Sequence, residues 1–202
     1  MKNSRLVDLK EVNNDLNVPR IGGKSLLPDS MEYPTNPNGK KMALILSLPT
    51  NFLNQFFQFE YPSDKVISVF STYDQEDYFL DFISYHGHSE GLENIKNGFT
   101  KVILHSIGAP RDESEYLIPA REIVVGDEFD VPEFYCGNLL GGNPVFLQNE
   151  IMELASYQFC MQLYGGDFPE GFEDVFLLSD AVGYLFLGSS EKDPGIFFAQ
   201  CT

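Results

Sequence analysis

The chain has 202 residues, of which 43% are hydrophobic and 21% are charged, so it can bury a core without disulfide or metal cross-links. Its net charge of −17, from 30 acidic and 13 basic residues, argues against a nucleic-acid groove or an anionic membrane surface as partner. Three widely spaced cysteines and a polar first segment without a signal-like apolar core predict a cytoplasmic protein with reduced thiols.

In chain order, apolar residues at three-residue spacing predict a short amphipathic helix over 4–13. A loop rich in proline and glycine follows over 18–39, and a helical turn is predicted over 51–57. A second short helix is predicted from residue 150. Short apolar runs bounded by turn residues predict strands at 41–48, 65–73, 78–85, 101–107, 122–125, 157–164, 182–187 and 195–199.

The second half of the chain repeats the order of the first at low identity. The motifs Arg20-Ile-Gly-Gly and Leu140-Gly-Gly each lead, through a proline, to two strands. We therefore predict a single domain over 1–202, with pseudo-repeats at about 20–107 and 138–199. The expected fold class is α+β and β-rich, with mixed or antiparallel sheets in two pseudo-repeated halves and few short helices.

Gly141, Gly142, Pro144 and Gln148 form one residue pattern, and Asp180, Gly183 and Phe186 form a second. Both patterns are similar to those of the YwqG-like family, and the resemblance spans most of the chain. It implies an α+β, β-rich fold with internal pseudo-symmetry, in a family without an established biochemical role. It also implies a bacterial setting beside secreted toxins, and hence, by analogy, an immunity role. The chain departs from the family in having no tryptophan, and in having Ser47 where many relatives have glutamine.

Acidic residues are concentrated in the second half of the chain. Residues 102–202 hold three Lys or Arg and seventeen Asp or Glu, which accounts for most of the net charge. Carboxylates interleaved with phenylalanines are typical of a solvated loop or of a contact surface for a basic protein. The residues predicted to bind such a partner are Asp127, Glu128, Asp130, Glu133, Glu170, Glu173 and Asp174.

No complete catalytic set is found in the sequence, and no cofactor is expected. Gly23-Lys24-Ser25 resembles the end of a phosphate-binding loop, but Val18 stands where that motif needs a glycine. His86 and His88 are weak metal-ligand candidates, because two imidazoles at this spacing can converge on zinc or nickel. No third ligand is evident, so no metal site is predicted.

Two classes of function stay open. The leading hypothesis is a non-enzymatic acidic binding protein, an immunity protein that neutralises a basic toxin domain. The alternative is a small-ligand or metal-binding protein, or an enzyme, with a pocket between the two pseudo-repeats. The residues expected to line that pocket are Gly22, Gly23, Gly141, Gly142 and Gln148.

Overall fold

The computed structural model describes residues 3–12, 17–148, 154 and 156–201. Its strands belong to one ten-stranded antiparallel sheet. The strands are β1 (Ser4–Glu11), β2 (Arg20–Ile21), β3 (Ala43–Pro49), β4 (Lys65–Ser71), β5 (Thr100–Ser106), β6 (Arg121–Phe129), β7 (Leu139–Leu140), β8 (Gln158–Tyr164), β9 (Val182–Leu187) and β10 (Gly195–Gln200). The helical segments are α1 (Thr50–Phe56), α2 (Leu80–Ile83), α3 (Ser89–Asn94), a π-helical turn (Ile95–Phe99) and a 3-10 turn (Gly165–Asp167).

The order of strands in the sheet is β10-β9-β8-β7-β1-β6-β2-β3-β4-β5. At its centre β1 and β6 pair antiparallel, from Ser4 opposite Phe129 to Glu11 opposite Arg121. Each flank begins with a two-residue strand, β7 or β2, which is followed by a Gly-Gly pair. The edge strands β5 and β10 contact each other, where the Thr100 hydroxyl donates to a carbonyl of β10 at 2.6 Å. The sheet is therefore nearly closed.

The predicted fold class, an α+β fold in two pseudo-repeated halves, is wrong. The strands of both flanks are continuous with the central pair, so one sheet encloses one main core. Ile45 and Val69 from one flank lie in that core with Met161 and Leu185 from the other. An apolar face that is closed on itself needs no layer of helices to cover it, which explains why helices are few and short. The predicted pseudo-repeat boundaries stay a prediction.

Two smaller apolar clusters lie on the outer face of the sheet. Along β4, Ile67 and Val69 point into the main core, whereas Phe70 points outward and packs against the loop that follows β2. Along β9, Leu185 points inward, whereas Phe186 points outward and packs against the loop that follows β7. The loops after the two Gly-Gly pairs therefore cover the outside of the sheet, and the second of them carries part of the candidate site.

Most of the predicted strands are confirmed, but two local predictions are wrong. The segment predicted as a helix over 4–13 forms strand β1 as far as Glu11. The segment predicted as a strand over 78–85 contains helix α2. The short helix predicted from residue 150 falls largely outside the described residues. Within the described residues, every helix is too short or too polar to span a lipid bilayer.

Candidate functional site

A cleft of about 710 Å³ opens where the end of β6 passes the start of β1. Its walls come from the first described residues, from the loop that follows β6 and from the loop that follows β7. We call it the acidic cleft, because three carboxylates line it. The lining residues that bear on its chemistry are Asn3, Glu128, Phe129, Asp130, Glu133, Asn143, Phe146 and Gln148.

The loop after β7 is held against the start of β1 by a close backbone approach. Gly142 has a φ of +71°, and a Cβ there would lie 2.7 Å from the Ser4 backbone nitrogen. Only glycine adopts this conformation and leaves this space without strain. The Ser4 hydroxyl also donates to the Gly141 carbonyl oxygen at 3.2 Å. The glycine pair therefore brings Asn143, Phe146 and Gln148 to the edge of the acidic cleft.

A buried amide on β8 holds the two loops of the cleft together. The Gln162 side chain is fully buried, and its Nε2 donates to the carbonyl oxygens of Tyr135 and Gly137 at 3.0 Å each. Its Oε1 accepts from the Val145 backbone N–H at 3.1 Å. Gln162 therefore connects the loop that follows β6 to the loop that follows β7.

Two of the three carboxylates that line the acidic cleft have no cationic neighbour among the described residues. Glu128 forms an ion pair with Arg5 at 3.3 Å and accepts from the Asn3 amide at 2.8 Å. For Asp130 and Glu133, the described part of the chain provides neither an ion pair nor a hydrogen bond. The described lining also contains no lysine, arginine or histidine. The cleft is thus suited to a guanidinium or ammonium group supplied from outside.

The structure separates the predicted protein-binding residues into two places. Glu128, Asp130 and Glu133 line the acidic cleft, and Asp127 precedes them on β6 without lining it. The other residues lie in the loop between the 3-10 turn and β9. There the carboxylate of Asp174 accepts from the Tyr73 hydroxyl at 2.8 Å, and burial, together with this hydrogen bond, raises the pKa of that tyrosine. Two further residues of the predicted set share this second loop: Glu170 and Glu173.

The residues predicted to line an inter-repeat pocket do not all meet in the structure. Gly142 lies beside the start of β1, whereas a Cβ on Gly22 would contact Ile118 and Pro119, just before the start of β6. Since β1 and β6 are antiparallel, these points lie at opposite ends of the central pair, roughly 23 Å apart for an eight-residue strand. Gln148 lines the acidic cleft together with the loop after Gly142.

The first Gly-Gly pair wraps around a buried arginine. The Arg20 side chain is fully buried, and its guanidinium donates to the carbonyl oxygens of Gly22 and, at 2.6 Å, Lys24. Burial lowers the pKa of Arg20 to about 10. This turn therefore has a structural role in holding the loop that covers the first flank.

The predicted histidine pair lies in a different pocket. His86 and His88 line a cavity of about 220 Å³, and their ring centroids are 5.3 Å apart. In the described residues, no three His, Cys, Asp or Glu side chains converge as a metal site does.

Sequence reasoning missed several residues of the acidic cleft. Ser4 falls at the start of the predicted helix over 4–13, and Asn3, Asn143 and Phe146 are not among the predicted site residues. The available signal was the glycine pair before Asn143, which marks a close approach of two backbones. Gln162 carried no signal, since its partners lie 17 to 27 residues away.

Comparison with known families gives one match. Residues 19–93 match a family described as a domain of unknown function, DUF1963. A search of curated proteins finds no match to the chain. Over this segment the chain is similar to an uncharacterised family. The segment runs from just before β2 into α3, so the residues of the acidic cleft lie outside it.

Proposed function

We propose that this protein is a non-enzymatic acidic binding protein whose acidic cleft receives a basic segment of a partner protein. The observation that carries the proposal is that Asp130 and Glu133 line a cleft in which the described residues offer them no cation. Such carboxylates accelerate association with a cationic partner, and they pair with it once water is displaced. The rings of Phe129 and Phe146 supply contact area for the apolar stem of an arginine or lysine.

An exposed aromatic residue beside the acidic cleft favours a protein as the partner. Phe134 follows Glu133 in the chain, and 64% of its surface is exposed. Phenylalanine gains from contact with a partner of protein size, whereas a small cation gives it nothing to cover. We therefore assign Phe134 to the contact surface around the cleft.

We further propose that the partner is a basic toxin domain and that the protein is a cytoplasmic YwqG-like immunity protein. Support comes from the resemblance to that family and from the match of residues 19–93 to an uncharacterised family. The distribution of ion pairs also supports a basic partner. Three carboxylates of the second half form ion pairs with bases from the first half, but most of the others form none among the described residues; the pairs are Glu113 with Lys41, Glu128 with Arg5 and Glu191 with Lys65.

The test uses a fluorescein-labelled oligo-arginine peptide and fluorescence anisotropy at several salt concentrations. Changing Asp130→Asn and Glu133→Gln together is expected to weaken binding about fivefold and to flatten its salt dependence, because two partly solvated ion pairs are lost. The matched control removes two exposed carboxylates from the loop over the opposite flank, Asp29→Asn and Glu32→Gln. Equal weakening in both variants would show that net charge, and not the cleft, binds the peptide.

The size of the acidic cleft also supports the alternative function, that of a small-ligand protein. A volume of about 710 Å³ lies within the range of roughly 300–1,000 Å³ that is usual for small-molecule sites. The polyamine spermidine is a suitable probe of this alternative. If Phe134→Ala weakens the binding of the peptide and leaves that of spermidine unchanged, the protein partner is favoured. If spermidine binds more tightly than the peptide and Phe134→Ala affects neither, the small-ligand alternative is favoured.

A further inference from the structure

The turn between α2 and α3 places two imidazoles over one small cavity. His86 and His88 flank Gly87, whose φ of +93° turns the chain there. Both side chains line the cavity of about 220 Å³, together with the carboxylates of Asp81 and Glu90. This cavity shares no lining residue with the acidic cleft, so its chemistry is independent of the proposed function.

The spacing of the two rings fits ligands of one tetrahedral metal ion. The ring centroids are 5.3 Å apart, and the ring planes are nearly perpendicular, at 87°. Two imidazoles at Zn–N distances of about 2.0–2.1 Å in a tetrahedral site have centroids roughly 5 Å apart. Neighbouring imidazoles on a square-planar ion would be closer, at roughly 4.5 Å. The centroid distance is therefore compatible with two ligands of one tetrahedral ion such as Zn²⁺.

A second observation concerns the hydrogen bonding of His86. Its Nδ1 is shielded from solvent, and it has no hydrogen-bond partner among the described residues. An unpartnered buried nitrogen costs free energy, about 1–3 kcal/mol for a typical polar group. A cation bound at the ring pair, with a coordinated water beside it, can remove this cost.

Two carboxylates differ in their freedom to complete the coordination. Asp81 accepts a hydrogen bond from the Tyr78 hydroxyl at 2.9 Å, which occupies one of its carboxylate oxygens. Glu90 is exposed, in the first turn of α3, and the described residues give it no hydrogen bond or ion pair. Because a change of side-chain rotamer costs an exposed glutamate little free energy, Glu90 is the carboxylate that can turn towards the two rings.

We propose that His86 and His88 form a two-histidine binding site for Zn²⁺, whose coordination is completed by Glu90 and water. The site lies outside the acidic cleft, and nothing in the proposed function requires it. The two histidines line one cavity, and Glu90 joins them when the ion binds. Since no three such side chains converge among the described residues, the proposal requires the Glu90 side chain to move when the ion binds.

The test is isothermal titration of the full chain with ZnCl₂, followed by visible absorption of the Co²⁺ form. One Zn²⁺ per chain is expected to bind, and Co²⁺ is expected to show the intense visible bands of a tetrahedral site. Changing His86→Gln and His88→Gln together should weaken Zn²⁺ binding by more than about tenfold and abolish those bands. Glu90→Gln should weaken binding less than the double histidine change.

The matched control is Glu93→Gln, which removes a carboxylate from the same helix but outside the cavity. It should leave Zn²⁺ binding unchanged, and circular dichroism should show that all variants are folded. The proposal is overturned if the chain binds no Zn²⁺ saturably, or if the double histidine variant binds it as the unmodified chain does. The weak absorption of octahedral Co²⁺ would also overturn it.

Discussion

At the scale of single residues, two buried serines on neighbouring strands differ in their hydrogen bonding. Ser47 on β3 lies directly opposite Ser68 on β4, and both are fully buried. The Ser68 hydroxyl is 2.8 Å from Nε2 of His105, whose Nδ1 is 2.8 Å from the Ser106 carbonyl oxygen. Nδ1 therefore carries the proton and donates it to that carbonyl, while Nε2 accepts from Ser68. Burial lowers the pKa of His105 and favours this neutral form.

The hydroxyl of Ser47, in contrast, is buried without a hydrogen-bond partner in the described part of the chain. We expect Ser47→Ala to raise the free energy of unfolding by about 1 kcal/mol, because it removes an unsatisfied polar group. We expect Ser68→Ala to lower it by about 1–2 kcal/mol, because Nε2 of His105 loses its donor. Urea unfolding followed by circular dichroism measures both. Equal destabilisation of the two variants would contradict this account.

At the scale of elements, Gln162 decides whether the loops after β6 and β7 stay together. Gln162→Leu keeps the side-chain volume but leaves two carbonyl groups and one N–H unpaired. The expected loss in the free energy of unfolding is about 2–4 kcal/mol. Because both loops line the acidic cleft, the variant should also bind the oligo-arginine peptide more weakly.

The control for this prediction is Gln55→Leu in α1, where the exposed side chain makes a hydrogen bond to one backbone carbonyl of its own helix. Its effect on unfolding should stay within about 0.5 kcal/mol. Urea unfolding and peptide anisotropy on the same samples separate the two readouts. If Gln162→Leu changes neither stability nor binding, the amide does not connect the walls of the cleft.

The elements that sequence reasoning predicted well are those whose pattern is local. Strand β9 was predicted with its exact bounds, because an apolar run between turn residues is sufficient there. Strand β1 was missed because its stability comes from pairing on both edges, with β6 and β7, more than 100 residues away. Helix α2 was missed because aromatic residues suggested a strand, whereas Phe79 and Ile83 enter the core at helical spacing.

The candidate site likewise contains some residues that the sequence could reveal and others that it could not. The carboxylates of the cleft form a run in the sequence, so their charge and their neighbouring aromatics could be recognised directly. The partners that make a cleft of them, Asn3, Asn143 and Phe146, come from distant segments and are brought there by the sheet order. The same order places Gly22 and Gly142 at opposite ends of the central pair, which no local pattern reveals.

At the scale of the whole molecule, the net charge of −17 affects stability and partner binding in opposite directions. Carboxylates without nearby cations repel one another in the folded state, and the repulsion is relieved when the chain unfolds. If Asp127, Asp130 and Glu133 are kept for a partner and not for the fold, their loss should stabilise the free protein. The acidic segment should therefore behave oppositely in unfolding and in binding experiments.

The triple variant Asp127→Asn, Asp130→Asn and Glu133→Gln is expected to raise the melting temperature by about 2–4 °C at low salt, which corresponds to roughly 1 kcal/mol for a domain of this size. In 1 M NaCl, where the Debye length falls to about 3 Å, the difference in melting temperature should disappear. Peptide binding should be weakened by the variant at low salt, in the opposite direction to stability. Thermal unfolding by circular dichroism checks the predicted change in stability, and peptide anisotropy checks the predicted change in binding. If the variant melts at a lower temperature than the unmodified chain at low salt, these carboxylates stabilise the fold instead.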